Sequence, residues 1–198
     1  MSRVHDDSQM ATDLIERAIY AFQNAFHPSF NFSSKTSLSN RICFKFDYNR
    51  VENRGFFIVI FKQILAVGAK ACYRTGLELA KLLYSLDVDN DPLGVILLLD
   101  FFAIRSSEYQ YLIDIYEEFR TTKHLNLMPN MSMSVALAHF YLYEQTNDQK
   151  DLDKANSLLQ ECLIQFPSIL MDMLEKCNVT PDKKVSSSWI FSKASNYV

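Results

Sequence analysis

The stretch DLDKANSLLQECLIQFP (151–167) decides how the rest of the chain is read. Ala155, Leu158, Leu159, Cys162, Leu163 and Phe166 recur at steps of three and four, which places them on one stripe of an α-helix over 152–165. Asp151 stands where a helix N-cap belongs, because its carboxylate can accept an orphan backbone N–H of the first turn. Phe166-Pro167 closes the helix, since the residue before a proline is pushed out of the α region.

The same pattern appears upstream in pairs. One pair is predicted over 53–71 and 74–86, a second over 92–105 and 108–121, and a third over 132–145 and 152–165, with a shorter helix over 168–177. Leu112, Ile115, Tyr116 and Phe119 form the stripe of the fourth helix in this series. Pro92 is expected at the first helical position of its helix, where a missing N–H costs nothing. Tyr73, Tyr109 and Leu152 open the second helices of the three pairs. Their spacing drifts around the period of about 34 residues of a tetratricopeptide repeat, which alternates two antiparallel helices. Within 151–167, Leu152 takes the turn position, Ala155 the small position and Pro167 the terminator; Gly76 and Ala80 are small residues facing a neighbouring helix in the first pair. The reading is therefore all-α, with antiparallel helical hairpins stacked as a tetratricopeptide-like α-solenoid, because each hairpin has more apolar surface than it can bury alone.

Ahead of the pairs, Leu14, Ile15, Ala18, Ile19, Phe22, Ala25 and Phe26 mark a helix over 11–26 that His27-Pro28 ends. NFSSKTSLSN (31–40) reads as an exposed loop. In RICFKFDYNR (41–50), Ile42, Phe44, Phe46 and Tyr48 alternate with polar or small residues. A lone strand has no partner, so an irregular segment burying aromatics against helices is expected. The domain reading is an N-terminal helix and irregular loop over 1–52, a hairpin-repeat domain over 53–177, and a poorly ordered tail over 178–198 that exposes Trp189, Ile190 and Phe191.

Composition bounds the function. Four glycines and five prolines in 198 residues are too few turn formers for a many-stranded sandwich. A hydrophobic content of 48% excludes wholesale disorder. A net charge of −3 gives nucleic-acid binding no electrostatic support. Tyr109, Tyr111 and Tyr116 with Arg120 and Lys123 do not amount to an RNA platform, because Tyr116 falls on the core stripe and Asp114, Glu117 and Glu118 neutralise the rest. The longest apolar run, LGVILLLDFFAI (93–104), contains Asp100 and is too short to span a bilayer, so it reads as a buried helix and no membrane partner is expected. The N-terminus carries no apolar h-region, and Cys43, Cys72, Cys162 and Cys177 form no C-x-x-C pair. The cytosol or nucleus is the expected compartment.

No motif carries chemistry. Asp87, Asp89 and Asp91 open like a calcium loop, but Pro92 and Leu98 stand where the bend glycine and bidentate glutamate belong. The acidic turn is expected to cap the next helix. His5, His27, His124 and His139 have no metal-ligand spacing. His139 reads as a structural histidine, and Cys162, on an apolar stripe, as an inert small hydrophobe rather than its dyad partner. Glycine-rich phosphate loops and G-x-S-x-G are absent. No catalytic, cofactor-binding or metal residue is assigned, no small-molecule substrate is expected, and a cryptic hydrolase around His139 is the rival of another class. Asp100 interrupts the most apolar helix and needs a partner; Arg74 and Arg105 are the candidates, with a contact to an external basic group as the alternative.

YNRVENRGFFIVIFKQ (48–63) and YRTGLELAKLLYSLDVDNDPLGVILLLDFFAIRSSEYQYLI (73–113) resemble the transcription factor 25 family. AFHPSF (25–30), LNLMPNMSMSVALA (125–138), QFPSIL (165–170) and CNVTPDKKVSSS (177–188) extend the likeness in the same order. The resemblance implies a subunit of ribosome-associated quality control, acting with the Listerin ubiquitin ligase on the large ribosomal subunit. There it would favour ubiquitin chains that send stalled nascent peptides to the proteasome, and help bring in the segregase that extracts them. It also implies a nuclear transcriptional repressor in animals. The family's basic N-terminal portion is missing here, so the chain looks like a central fragment, and no direct DNA contact is expected from it. The implied role is a non-enzymatic protein-binding scaffold. Its candidate contact residues in the motif stretches are Asn53, Arg54 and Arg74, whose alternative roles are helix capping and pairing.

Overall fold

A computed structural model describes residues 2–26, 46–188 and 191. Every regular element among them is helical: α1 (Ser2–Ala25), α2 (Val51–Ala69), α3 (Tyr73–Leu86), α4 (Ile96–Arg105), α5 (Tyr109–Phe119), a 3-10 turn (Leu125–Leu127), α6 (Pro129–Thr146), α7 (Gln149–Gln165), α8 (Ser168–Lys176) and α9 (Lys183–Ser186). The chain is all-α, and α3 and α5 begin at Tyr73 and Tyr109 as the spacing required. None of the helices among the described residues is long and apolar enough to cross a membrane. The serine-rich loop, Ile42, Phe44, Trp189 and Ile190 lie outside the described residues; Phe191 is half-buried. Two compact units emerge, Met1–Ser107 and Glu108–Val198.

In the first unit α2 packs on α1 and on α3, and α3 packs on α4. Phe22, Phe26, Phe46, Phe56 and Phe57 form an aromatic cluster between them. Phe56 takes Phe26 edge-on at 5.1 Å and Phe22 at 5.5 Å, and Phe46 stacks on Phe57 at 5.9 Å. Tyr48 meets Phe57 edge-on at 5.3 Å. Phe46 and Tyr48 thus bury aromatic surface from irregular backbone, and the Phe46 N–H donates to the Leu86 carbonyl at 3.1 Å. Edge-to-face pairs of this kind add about 0.5–1.5 kcal/mol each beyond the area they bury. On α1 the covered side is Thr12, Ile15, Ala18, Ile19 and Phe22, while Leu14 is exposed.

The start of α4 corrects the expectation for Pro92. The helix begins at Ile96, and Pro92 sits instead in a turn closed by Gly94 N–H on the Asp91 carbonyl at 2.9 Å. Proline suits the second position of such a turn. Asp91 (φ 40°) and Gly94 (φ 63°) are both left-handed, which stops the helix from reaching back to Pro92. The Asp91 carboxylate accepts from Val95 N–H at 2.8 Å and from Ile96 N–H at 3.0 Å, capping the helix that follows. Within α4, Ile96, Leu99, Asp100, Phe102 and Ala103 are buried, but Leu97 and Phe101 are about half exposed. The run 93–104 is therefore not a wholly buried helix.

In the second unit α6 packs on α5, on α7 and on the 3-10 turn. Leu112, Ile115, Leu125, Met131, Val135, Ala138 and Cys162 make up its core. Pro129 opens α6, earlier than the expected Ser132, because its fixed φ already suits a first turn. Ser132 is buried and its hydroxyl donates to the Asn126 carbonyl at 3.1 Å, tying α6 to the 3-10 turn. The N-cap of α7 is Asp148, not Asp151: its carboxylate accepts from Lys150 N–H at 3.0 Å. Asp151 is the third residue of the helix and turns to His139.

Candidate functional site

Asn53 and Arg54 occupy the first turn of α2 and reach back over the turn before it. Asn53 Nδ2 donates to the Asp47 carbonyl at 2.8 Å. Arg54 donates from Nε to the Tyr48 carbonyl at 3.2 Å and from Nη2 to the Asn49 carbonyl at 3.4 Å, with its guanidinium 5.5 Å from the centre of the Tyr48 ring. These bonds fix the entry of α2. Arg54 nonetheless stays exposed, with Nη1 uncommitted among the described residues. Charge and planarity at a turn edge can meet a carboxylate.

Arg74 is exposed in the first turn of α3. It follows the C-terminus of α2, and fifteen or so residues of helix at about 1.5 Å each separate it from Arg54 by roughly 22 Å. The three candidates are thus two places: Asn53 and Arg54 at one end of α2, Arg74 at the other.

Beside Arg74 lies a grouping that the sequence reading missed. Arg105 Nη2 donates to the Tyr73 hydroxyl at 3.0 Å while its guanidinium stands 4.5 Å over the Tyr73 ring. Tyr73 in turn meets Phe101 edge-on at 5.8 Å. Arg105, one of the two arginines expected to serve Asp100, is therefore committed to Tyr73. The only signal available was the spacing of Leu97, Phe101 and Arg105, four apart on one face, and it is drowned by the apolar residues all round them.

The residues weighed for chemistry are tied into the fold. His139 is buried, with Nδ1 3.0 Å from an Asp151 carboxylate oxygen, linking α6 to α7. Cys162 is buried, and burial pushes its thiol above the usual range, away from the reactive thiolate. No hydrogen bond joins it to His139 among the described residues. Asp87 is buried with both carboxylate oxygens 3.0 Å from Asn90 Nδ2, and Asp91 faces backbone N–H groups. The described residues contain no group of three or more histidine, cysteine or acidic side chains able to hold a metal.

The sequence profile of the family described as "Transcriptional repressor TCF25" matches residues 1–197. The chain is 41% identical to the human "Ribosome quality control complex subunit TCF25" over 194 residues, covering 96% of this chain and 28% of that protein. It is 32% identical over 196 residues to "Probable transcription factor claV" of Ampulloclitocybe clavipes, covering 93% of this chain and 24% of that protein. To "Ribosome quality control complex subunit 1" of Schizosaccharomyces pombe it is 26% identical over 174 residues, covering 88% and 24%. No solved structure matches the chain significantly. The chain thus spans about a quarter of the length of these relatives, which bear the names of complex subunits and transcription regulators. With a match that runs along nearly all of its length, the chain belongs to the TCF25 family.

Proposed function

We propose that this chain is a non-enzymatic protein-binding scaffold of ribosome-associated quality control. In this reading it acts in the cytosol with the Listerin ubiquitin ligase at the large ribosomal subunit, in the ubiquitination of stalled nascent chains. The observation that carries the proposal is the match along residues 1–197 to a family whose human and fission-yeast members bear the name of ribosome quality control complex subunits. The helical pairs over 53–177 supply the physical means. Within each of the two compact units, consecutive packed helices, taken as hairpins in the manner of tetratricopeptide repeats, would give a stiff surface on which a partner holds a set orientation. Asn53, Arg54 and Arg74 are its proposed contact residues, two at one end of α2 and one at the other, reading carboxylates of protein partners.

A second reading has its own support: the family description names a transcriptional repressor, and the Ampulloclitocybe clavipes relative bears a transcription-factor name. Under it the same surface serves nuclear protein partners, and the acidic balance of the chain disfavours direct DNA contact. Affinity purification of the tagged chain from cells, followed by mass spectrometry, separates the two. Enrichment of Listerin and large-subunit proteins supports the first; enrichment of chromatin factors alone replaces it with the second.

A further inference from the structure

From the α4 surface we infer a docking site for an acidic peptide segment carrying an aromatic or aliphatic anchor. Leu97, Phe101 and Arg105 are exposed at successive four-residue steps, so they share one stripe of the helix. Leu97 is 51% exposed and Phe101 50%, which is a large apolar area to leave on a helix whose other bulky residues are buried or half-buried. Tyr73 closes one side, edge-on to Phe101 and under the Arg105 guanidinium. Tyrosine, arginine and a second aromatic ring, already held against one another, are the residue types that concentrate binding energy at interfaces.

Charge chooses the occupant. Arg105 places Nη2 on the Tyr73 hydroxyl, and the guanidinium keeps further N–H donors for a carboxylate. Lys70 and Arg74, both exposed, flank Tyr73 in the chain, and the turn after Arg105 is Ser106-Ser107. The single acid of α4, Asp100, is buried, and Glu78 on α3 is held by Lys81 at 2.9 Å. Arg105 is thus the exposed charge on the stripe that carries Phe101. An apolar anchor would sit on Leu97 and Phe101 while its acidic neighbours meet Arg105 and Lys70. A half-exposed ring beside a prearranged guanidinium costs little ordering entropy on binding. The site rests on the reading of the chain as a binding scaffold, but not on which complex the scaffold serves.

The test is fluorescence anisotropy with the whole chain and three short fluorescein-labelled peptides. One has a tryptophan and a leucine set among aspartates and glutamates; one replaces the acids with lysine; one replaces the two anchors with serine. The acidic anchored peptide should bind, weaken as salt rises, and lose about tenfold or more in affinity to Arg105→Ala, to Phe101→Ala and to Leu97→Ser. Melting curves identify a variant that unfolds, and the remaining two then decide. Equal binding of the three peptides, or no change with any folded variant, overturns the site. Self-association measured by sedimentation that vanishes with Arg105→Ala also overturns it, in favour of a second copy. Retained ribosome association alongside failed peptide binding sinks this site and leaves the scaffold reading standing.

Discussion

The ring of Phe102 occupies the space that a side chain on Gly76 would need: a Cβ built there lies 2.4 Å from Phe102 Cε1. Gly68 on α2 borders the same ring, with a Cβ position 3.0 Å from its Cζ. Phe102 is 3% exposed, so α4 meets α2 and α3 through one ring seated on two glycines.

Gly76→Ala should therefore destabilise the chain by about 1–3 kcal/mol, because overpacking outweighs the gain of up to about 1 kcal/mol in helix propensity. Phe102→Ala should cost about 3–5 kcal/mol. Combining Gly76→Ala with Phe102→Leu should cost less than the sum of the two, since the smaller side chain makes room. Urea melts of the wild-type chain, Gly76→Ala, Phe102→Leu and the double variant measure this, and strict additivity would contradict the packing described.

The glycine was legible as a small position facing a neighbouring helix, as were the courses of the seven longer helices between 11 and 165, but α1 begins at Ser2, ahead of the expected 11. Periodicity reports the buried stripe wherever one face is polar. Helix ends were less legible, because they are set by local hydrogen bonding. Asp91 and Gly94 bend the chain before α4, Pro129 opens α6 early, and Asp148 takes the cap expected of Asp151. The outward face of α4 was hidden for a different reason. A run that is apolar on all sides carries no sign of which residues face water, and Tyr73 and Arg105 meet only through folding. Asn53 and Arg54 were findable from an unusual motif, but their hydrogen bonds to the turn at 47–49 were not.

Asp91 is a cap whose loss can be measured. Asp91→Ala removes acceptors from Val95 and Ile96 N–H groups and should cost about 1–2 kcal/mol. Asp91→Asn should cost less, because an amide oxygen still accepts and asparagine tolerates the left-handed backbone. Chemical denaturation ranks the two; equal losses would show that the carboxylate is not the cap.

The His139–Asp151 contact joins α6 to α7 from a buried position. A double-mutant cycle with His139→Ala and Asp151→Ala should return a favourable coupling of about 0.5–3 kcal/mol. A coupling of zero would mean that each side chain acts by packing alone. Wild-type chain and His139→Ala assayed against generic ester substrates should both show only background hydrolysis, and turnover abolished by the substitution would revive a hydrolase.

Cysteine reactivity should follow exposure. Cys72 and Cys177 are exposed and Cys162 is buried, so maleimide should label the first two in the native chain and Cys162 only on unfolding. Burial raises the Cys162 thiol, and it raises the Tyr116 hydroxyl against the lowering effects of Arg120 and the Ser132 hydrogen bond. In the unfolded chain these groups release their protons at lower pH than in the fold. Their contribution to stability is thus complete below the unfolded values, about 9 for the thiol and about 10 for the hydroxyl. It is lost as pH rises from there through the folded values, at up to about 1.4 kcal/mol per pH unit for each group. Cys162→Ala should lower stability at neutral pH and flatten the alkaline slope; an unchanged slope would contradict the assignment.

Co-sedimentation with purified large ribosomal subunits through a sucrose cushion tests the scaffold role most directly, run on this chain beside a full-length human relative. The account predicts that the chain pellets with the subunit and that Arg54→Glu or Arg74→Glu, at unchanged melting temperature, releases it. A chain left wholly in the supernatant while the full-length protein pellets would contradict it.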